Sequence, residues 1–151
     1  MLPAEEFRYL VLALQREGNR QLSDALRPLG ITPSQAEVIQ VLAQYQPMTL
    51  LQLGERLVCE GGSPSRLVGT MVEAGWLEKH PNPDDGRAVL LRLTSKGEAI
   101  LPALMDIEEG FNTSIGTLAE PHEFEALIAG LWPLARASQP GQALLRRKHN
   151  T

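Results

Sequence analysis

Residues 63–70 read Ser63-Pro64-Ser65-Arg66-Leu67-Val68-Gly69-Thr70. Pro64 suits the first turn of a helix, where its missing N–H costs nothing. In a helix that starts there, Leu67, Val68, Met71 and Val72 share one apolar face. Ser65, Arg66, Gly69, Thr70 and Glu73 then point the other way. A guanidinium on that face can read guanine through two hydrogen bonds or clamp a phosphate. Ser63 and Ser65, beside the helix N-terminus, suit phosphate contact. The chemistry on offer is recognition of a polyanion, with candidate contacts Ser63, Ser65, Arg66 and Thr70; on the helix alone the plainer reading of Arg66 is a solvated charge on a packed helix, and it is the hairpin that follows which shifts the balance.

Catalytic chemistry has no comparable constellation. No nucleophile–base arrangement, phosphate-binding glycine loop or dinucleotide fingerprint is present. His80, His122 and His149 are scattered without a Cys, Asp or Glu cluster at ligand spacing, so neither a metal nor a cofactor is expected. Cys59 is the single cysteine; its neighbour Glu60 raises a thiol pKa rather than lowering it, and a small apolar filler role is expected there. Tyr9, Arg16 and Trp76, with Arg8, are candidates for lining a small-molecule pocket, weighed against plain solvated or core roles.

The elements that must position these residues follow from the pattern of the rest. The chain has 151 residues and 43% hydrophobic content, enough for a real core without disulfides or metal. Aromatics are 5%, so Leu, Val, Ile and Ala must build that core. The net charge of −4 is unusual for a polyanion binder, but the middle third is neutral and the C-terminal third carries most of the acidity. No apolar run approaches a membrane span, and Met1-Leu2-Pro3-Ala4-Glu5-Glu6 lacks a signal core. A cytoplasmic location is expected, and a lone cysteine suits a reducing compartment.

Pro3 opens a helix of about 25 residues carrying Phe7, Leu10, Val11, Leu14, Leu22 and Leu26, ending near Pro28-Leu29-Gly30. Thr32 and Gln35 have capping-box spacing and start a second helix that stops before Pro47. Thr49 and Gln52 repeat the spacing and open a short helix through Leu53 and Leu57. Cys59-Glu60-Gly61-Gly62 breaks it, and the Ser63–Gly75 helix follows. The period then changes: Trp76–His80 reads as a strand, Pro81–Gly86 as turn, and Ala88–Thr94 alternates with Val89, Leu91 and Leu93 on one face. Ser95 and Glu98 restart a helix with a stripe from Ile100 to Leu118. A last helix starts near Pro121, with Pro133 predicting a kink or an early end. The basic tail at Arg146-Arg147-Lys148 is expected to be frayed or loosely helical.

A short helix, a tight turn and a second helix make a helix-turn-helix, and the hairpin after it is a wing. The sequence here resembles the MarR family of bacterial regulators from about residue 5 to residue 135. The resemblance rests on Leu29-Gly30-Ile31-Thr32-Pro33-Ser34-Gln35, Thr49–Leu57, Ser65-Arg66-Leu67-Val68, Gly75-Trp76-Leu77-Glu78-Lys79, Pro83-Asp84-Asp85-Gly86-Arg87 and Leu93-Thr94-Ser95-Lys96-Gly97. It implies a mainly α fold with a small β-hairpin wing, and a homodimer held by long terminal helices. The division would be 1–30 for dimerisation, 31–97 for DNA binding, 98–138 for dimerisation again, and 139–151 as the basic tail.

The function implied is a DNA-binding repressor of a pseudo-palindromic operator, modulated by a small aromatic or anionic ligand. Ser65 and Arg66 would lie on the recognition helix. Arg87 would reach a minor groove, and Asp85 would brace Arg87 or the wing backbone. Family members often carry a basic residue where Thr70 stands and a polar one where Gly69 stands. With Arg66 alone on the helix, affinity would lean on Lys79, Arg87, Arg92 and Lys96, unless some of these, Arg92 above all, pair with hairpin carboxylates. The peroxide-sensing branch of the family has its cysteine in the first helix, where this chain has none. The competing expectation is a winged-helix interaction or structural dimer that has lost DNA binding.

Overall fold

The computed structural model describes residues 1–59 and 62–148, so the readings placed on Glu60, Gly61 and His149 lie outside the described residues. Helix α1 (Pro3–Leu26) begins with Pro3 and with Glu5 and Glu6 in its first turn, where acidic charge complements the helix dipole. A 3-10 turn (Arg27–Leu29) ends it at Gly30. Helices α2 (Pro33–Tyr45) and α3 (Leu50–Gly54) both start from complete capping boxes, Thr32 with Gln35 and Thr49 with Gln52. Helix α4 (Pro64–Glu73) is capped by the Ser63 side chain, and Gly75 turns the chain out of it at a φ of 76°, a left-handed conformation cheap only for glycine.

Strands β2 (Leu77–Pro81) and β3 (Val89–Leu93) form the hairpin, with Leu77 opposite Leu93 and Lys79 opposite Leu91. A third strand, β1 (Met48–Thr49), adds to the far edge of β3 and gives the antiparallel order β1-β3-β2. The alternation pattern did not foretell it, because two residues carry no period. Thr49 both ends this strand and caps α3.

The expected helix from Ser95 to Leu118 is divided. Thr94, not Ser95, is the cap: its hydroxyl accepts from the Gly97 N–H at 3.1 Å and donates to the Gly75 carbonyl at 2.6 Å. Helix α5 (Ser95–Ala99) then yields at Ile100 to α6 (Leu101–Gly116), whose first turn holds Pro102, and Leu118 lies beyond its end. Gly97 is required by contact, since a Cβ there would come 2.4 Å from the Trp76 carbonyl oxygen. Helix α7 (Pro121–Ala135) runs on two residues past Pro133 rather than ending at it.

Of the two expectations for the basic tail, frayed or loosely helical, the structure has the helical one, docked rather than loose. Residues Gln139–Lys148 form helix α8, with Gly141 and Ala143 buried, and its arginines bond to the lobe that carries the hairpin. Sequence periodicity could not reveal partners about a hundred residues away.

The core is continuous from Leu26 to Leu104. Val38, Ile39 and Leu42 of α2 meet Leu53 of α3, Val68 and Met71 of α4, Leu77 and Leu91 of the sheet, and Leu104 of α6. No described helix is long and apolar enough to cross a membrane.

Candidate nucleic-acid interface

The site is built on α4 and the hairpin. Burial of Val68 and Met71 fixes the rotation of α4, and the same rotation leaves Ser65, Arg66 and Thr70 exposed. Of the four candidates on this helix, two hydroxyls are engaged with its own backbone. Ser63 Oγ accepts from the Arg66 N–H at 3.4 Å, and Thr70 Oγ1 donates to the Leu67 carbonyl at 2.8 Å. Ser65 and Arg66 are outward, and among the described residues the Arg66 guanidinium makes no ion pair.

The hairpin tip is held by short side-chain-to-backbone bonds. Asn82 Oδ1 accepts from the Asp84 N–H and Asp85 Oδ1 from the Arg87 N–H, both at 3.0 Å. Asp85 therefore braces the wing backbone, as an Asx turn does. Arg87 and Lys79 are exposed without an ion pair among the described residues. Arg92 faces Glu78 across the strands, yet the Glu78 carboxylate meets His80 Nε2 at 2.7 Å instead. Lys96 is occupied: its ammonium donates to the Ala74 carbonyl at 2.6 Å and sits 4.3 Å from the Trp76 ring centroid. It ties the end of α4 to the start of α5.

The ligand candidates are dispersed. Tyr9 and Arg16 are exposed on α1, with Arg8 over the Tyr9 ring at 4.1 Å, while Trp76 packs half-buried against the core. Among the described residues, none of the three lines either of the two cavities that flank α8. One cavity of about 730 Å³ lies between α8 and the α3–α4 pair, lined by Leu50, Leu51, Pro64, Ser65 and Arg146 among others. An apolar one of about 520 Å³ lies between α1, α7 and α8. Among the described residues no group of three His, Cys, Asp or Glu side chains gathers to hold a metal.

One residue of the lobe escaped the sequence reading altogether. Glu37, on α2, is 5% exposed and accepts hydrogen bonds from the N–H groups of Val58 and Cys59, with Arg147 of α8 as its counter-charge. The available signal was an acidic residue inside the apolar run Ala36–Val38–Ile39. Partial burial, and then the Glu37 carboxylate, push the Cys59 thiol up to about 11, although the residue reaches the surface. The thiol stays protonated at neutral pH, and a thiolate is what reacts.

Residues 31–97 match a model of a winged helix DNA-binding domain. The multiple antibiotic resistance protein MarR of Escherichia coli strain K12 is 34% identical over 91 residues, which is 60% of this chain and 63% of that protein, so the match spans less than two thirds of the relative. The organic hydroperoxide resistance transcriptional regulator of Bacillus subtilis strain 168 is 27% identical over 66% of this chain and 67% of its own length. Among solved structures, a cysteine-to-serine mutant of Escherichia coli MarR complexed with operator DNA superposes with a TM-score of 0.78 at 26% identity, covering 85% of this chain and 93% of that one. Residues 31–97 thus carry the pattern of a winged helix DNA-binding domain, and the chain is similar to the MarR regulators in sequence over that lobe and in fold over most of its length.

Proposed function

We propose that the protein is a cytoplasmic, homodimeric repressor that binds a pseudo-palindromic DNA operator and releases it when a small aromatic or anionic ligand binds. It works by binding, not catalysis. The observation that carries this reading is the combination of an outward Arg66 on α4 and an outward Arg87 at the braced hairpin tip, neither with an ion pair among the described residues. That pair sits on a fold shared with a MarR protein held on its operator. Residues 31–97 would bind DNA, while 1–30 and 98–138 would associate two copies. Half-sites would then lie about one helical turn, ~10 bp, apart.

The two arginines should leave different signatures. Arg66 can reach base edges, where a bidentate contact is worth roughly 1–3 kcal/mol of discrimination. Arg87 can meet phosphates or enter a minor groove. Arg66→Ala should weaken the operator more than random DNA. Arg87→Ala should weaken both and flatten the salt dependence, because fewer counterions are released. A salt titration of both folded variants on genomic fragments selected by the parent, and on random duplexes, tests this. Parent-like binding by both variants would remove the DNA-reading roles.

A second reading, an interaction dimer without DNA binding, is favoured by the net charge of −4 and by the engagement of Lys96 with Ala74 and Trp76. Absence of binding to any genomic fragment by the parent protein would establish it over the first.

A further inference from the structure

Glu37 occupies a position suited to an apolar side chain. Its neighbours Ala36 and Val38 are core residues, and it is itself 5% exposed. Burying a carboxylate is unfavourable unless it is hydrogen-bonded and paired, and here both conditions are met. One oxygen accepts from the Val58 N–H at 2.8 Å, the other from the Cys59 N–H at 2.7 Å. These residues lie in the connection between α3 and α4 that delivers the recognition helix. The counter-charge comes from the far end of the chain. The Arg147 guanidinium meets Glu37, and its Nε donates to the Arg56 carbonyl at 2.8 Å. Arg146 adds a bond to the Glu55 carbonyl at 3.3 Å, and the Tyr45 hydroxyl donates to the Arg147 carbonyl at 3.4 Å.

The bonds form one chain of dependence. Helix α8 supplies the cation, the cation makes the buried carboxylate tolerable, and the carboxylate holds two N–H groups of the turn that sets α4. Without Arg147, Glu37 is an uncompensated buried charge. It would turn toward water and release the Val58 and Cys59 amides. Packing alone would be served by an apolar residue at position 37, so the carboxylate has its use in holding the turn.

We propose that Glu37 and Arg147 are positioning residues for DNA recognition, with α8 acting as an intrachain strap that fixes the angle at which α4 meets the groove. The inference rests on the operator-binding reading. Base contacts need the reading side chains held to a fraction of an ångström, whereas phosphate contacts tolerate looser register. Loosening the strap therefore costs specificity before it costs affinity for DNA in general.

The test compares full-length parent with Arg147→Ala, Arg147→Lys and Glu37→Gln. The ratio of operator to random-DNA affinity should fall roughly tenfold in Arg147→Ala, on the order of one lost base contact. Arg147→Lys should recover part of it, since an ammonium restores the charge but cannot reproduce both bonds of the planar fork. Hydrogen exchange at the Val58 and Cys59 amides should quicken in Arg147→Ala and Glu37→Gln, while β2–β3 amides keep their protection. A merely structural role would lower both DNA affinities with the folded fraction and leave the ratio unchanged. Unchanged ratios in folded variants, or unchanged exchange at residues 58 and 59, overturn the proposal while the operator reading stands. If Arg147→Ala does not fold, Arg147→Lys and Glu37→Gln carry the same two readouts. A parent that binds no genomic fragment overturns the operator reading, and this inference with it.

Discussion

Helices α2 and α7 are close in length, 13 and 15 residues, and both are rich in apolar side chains. Six residues of α2 are buried, and none of α7 is. Leu127, Ile128, Leu131 and Leu134 are all between 45% and 62% exposed. Phe7, Leu10, Val11 and Leu14 on α1 are similarly uncovered. An apolar helix face left this exposed is what the proposed association of two copies would cover, because large exposed apolar patches are rare on monomers. The lobe closes its core within one copy, with Leu26 of α1 and Leu104 of α6 contributing, whereas α7 and the first half of α1 leave their apolar side chains uncovered. Hydrophobic content alone could not have separated the two cases.

Substitutions should divide along the same line. The largest loss is expected inside the lobe. Leu42→Ala, at a fully buried position, should cost about 2–5 kcal/mol in urea unfolding, cavity included. Next comes the terminal region. Leu131→Glu should cost on the order of 2–4 kcal/mol of dimer stability, read as a shift to monomer mass in analytical ultracentrifugation. A parent that is itself monomeric at micromolar concentration would end the contrast. Gly97→Ala tests the packing of α5 against the turn that follows α4. Its new methyl group would press on the Trp76 carbonyl, so about 1–3 kcal/mol should be lost in thermal unfolding.

Two smaller effects sharpen the contrast. Thr49→Ala removes the hydroxyl that accepts from the Gln52 N–H, leaving the Thr49 N–H bond to the Gln52 side chain, and should cost about 1 kcal/mol, checked by urea midpoint. On exposed α1, hydrogen bonds from Arg20 and then Gln21 lower the Glu17 carboxyl to about 2. A carboxyl depressed in the folded state stabilises at pH above its ordinary value near 4.5, and that contribution is lost as pH falls toward 2. The difference in melting midpoint between parent and Glu17→Gln should thus vanish across that window. It should be the least of the five, since solvent screens an exposed pair.

What was legible in the sequence was whatever is encoded locally. Thr32 with Gln35, Thr49 with Gln52, the alternation at Leu91 and Leu93, and the stop at Gly75 each sit within a few residues of their effect. The outward placement of Arg66 followed from the apolar spacing of Val68 and Met71. What escaped depends on distance along the chain or on too few residues. Strand β1 has two residues, and its pairing to β3 joins Met48 to Leu91. Glu37 reads as an ordinary surface acid until Arg147 is placed beside it. Lys96 reads as a free cation until the end of α4 arrives to accept its bond. The assignment of Thr94 rather than Ser95 as cap depended on the hydroxyl also reaching the Gly75 carbonyl.

The order β1-β3-β2 leaves the sheet with two open sides, and both are poor templates for a neighbouring strand. One is a strand of two residues; the other carries an exposed Lys79 and ends at Pro81, which has no N–H to offer. Short, charged and proline-terminated edges resist the addition of further strands. The hairpin can therefore project into solvent, at the concentrations a cell reaches, without becoming a nucleus for aggregation.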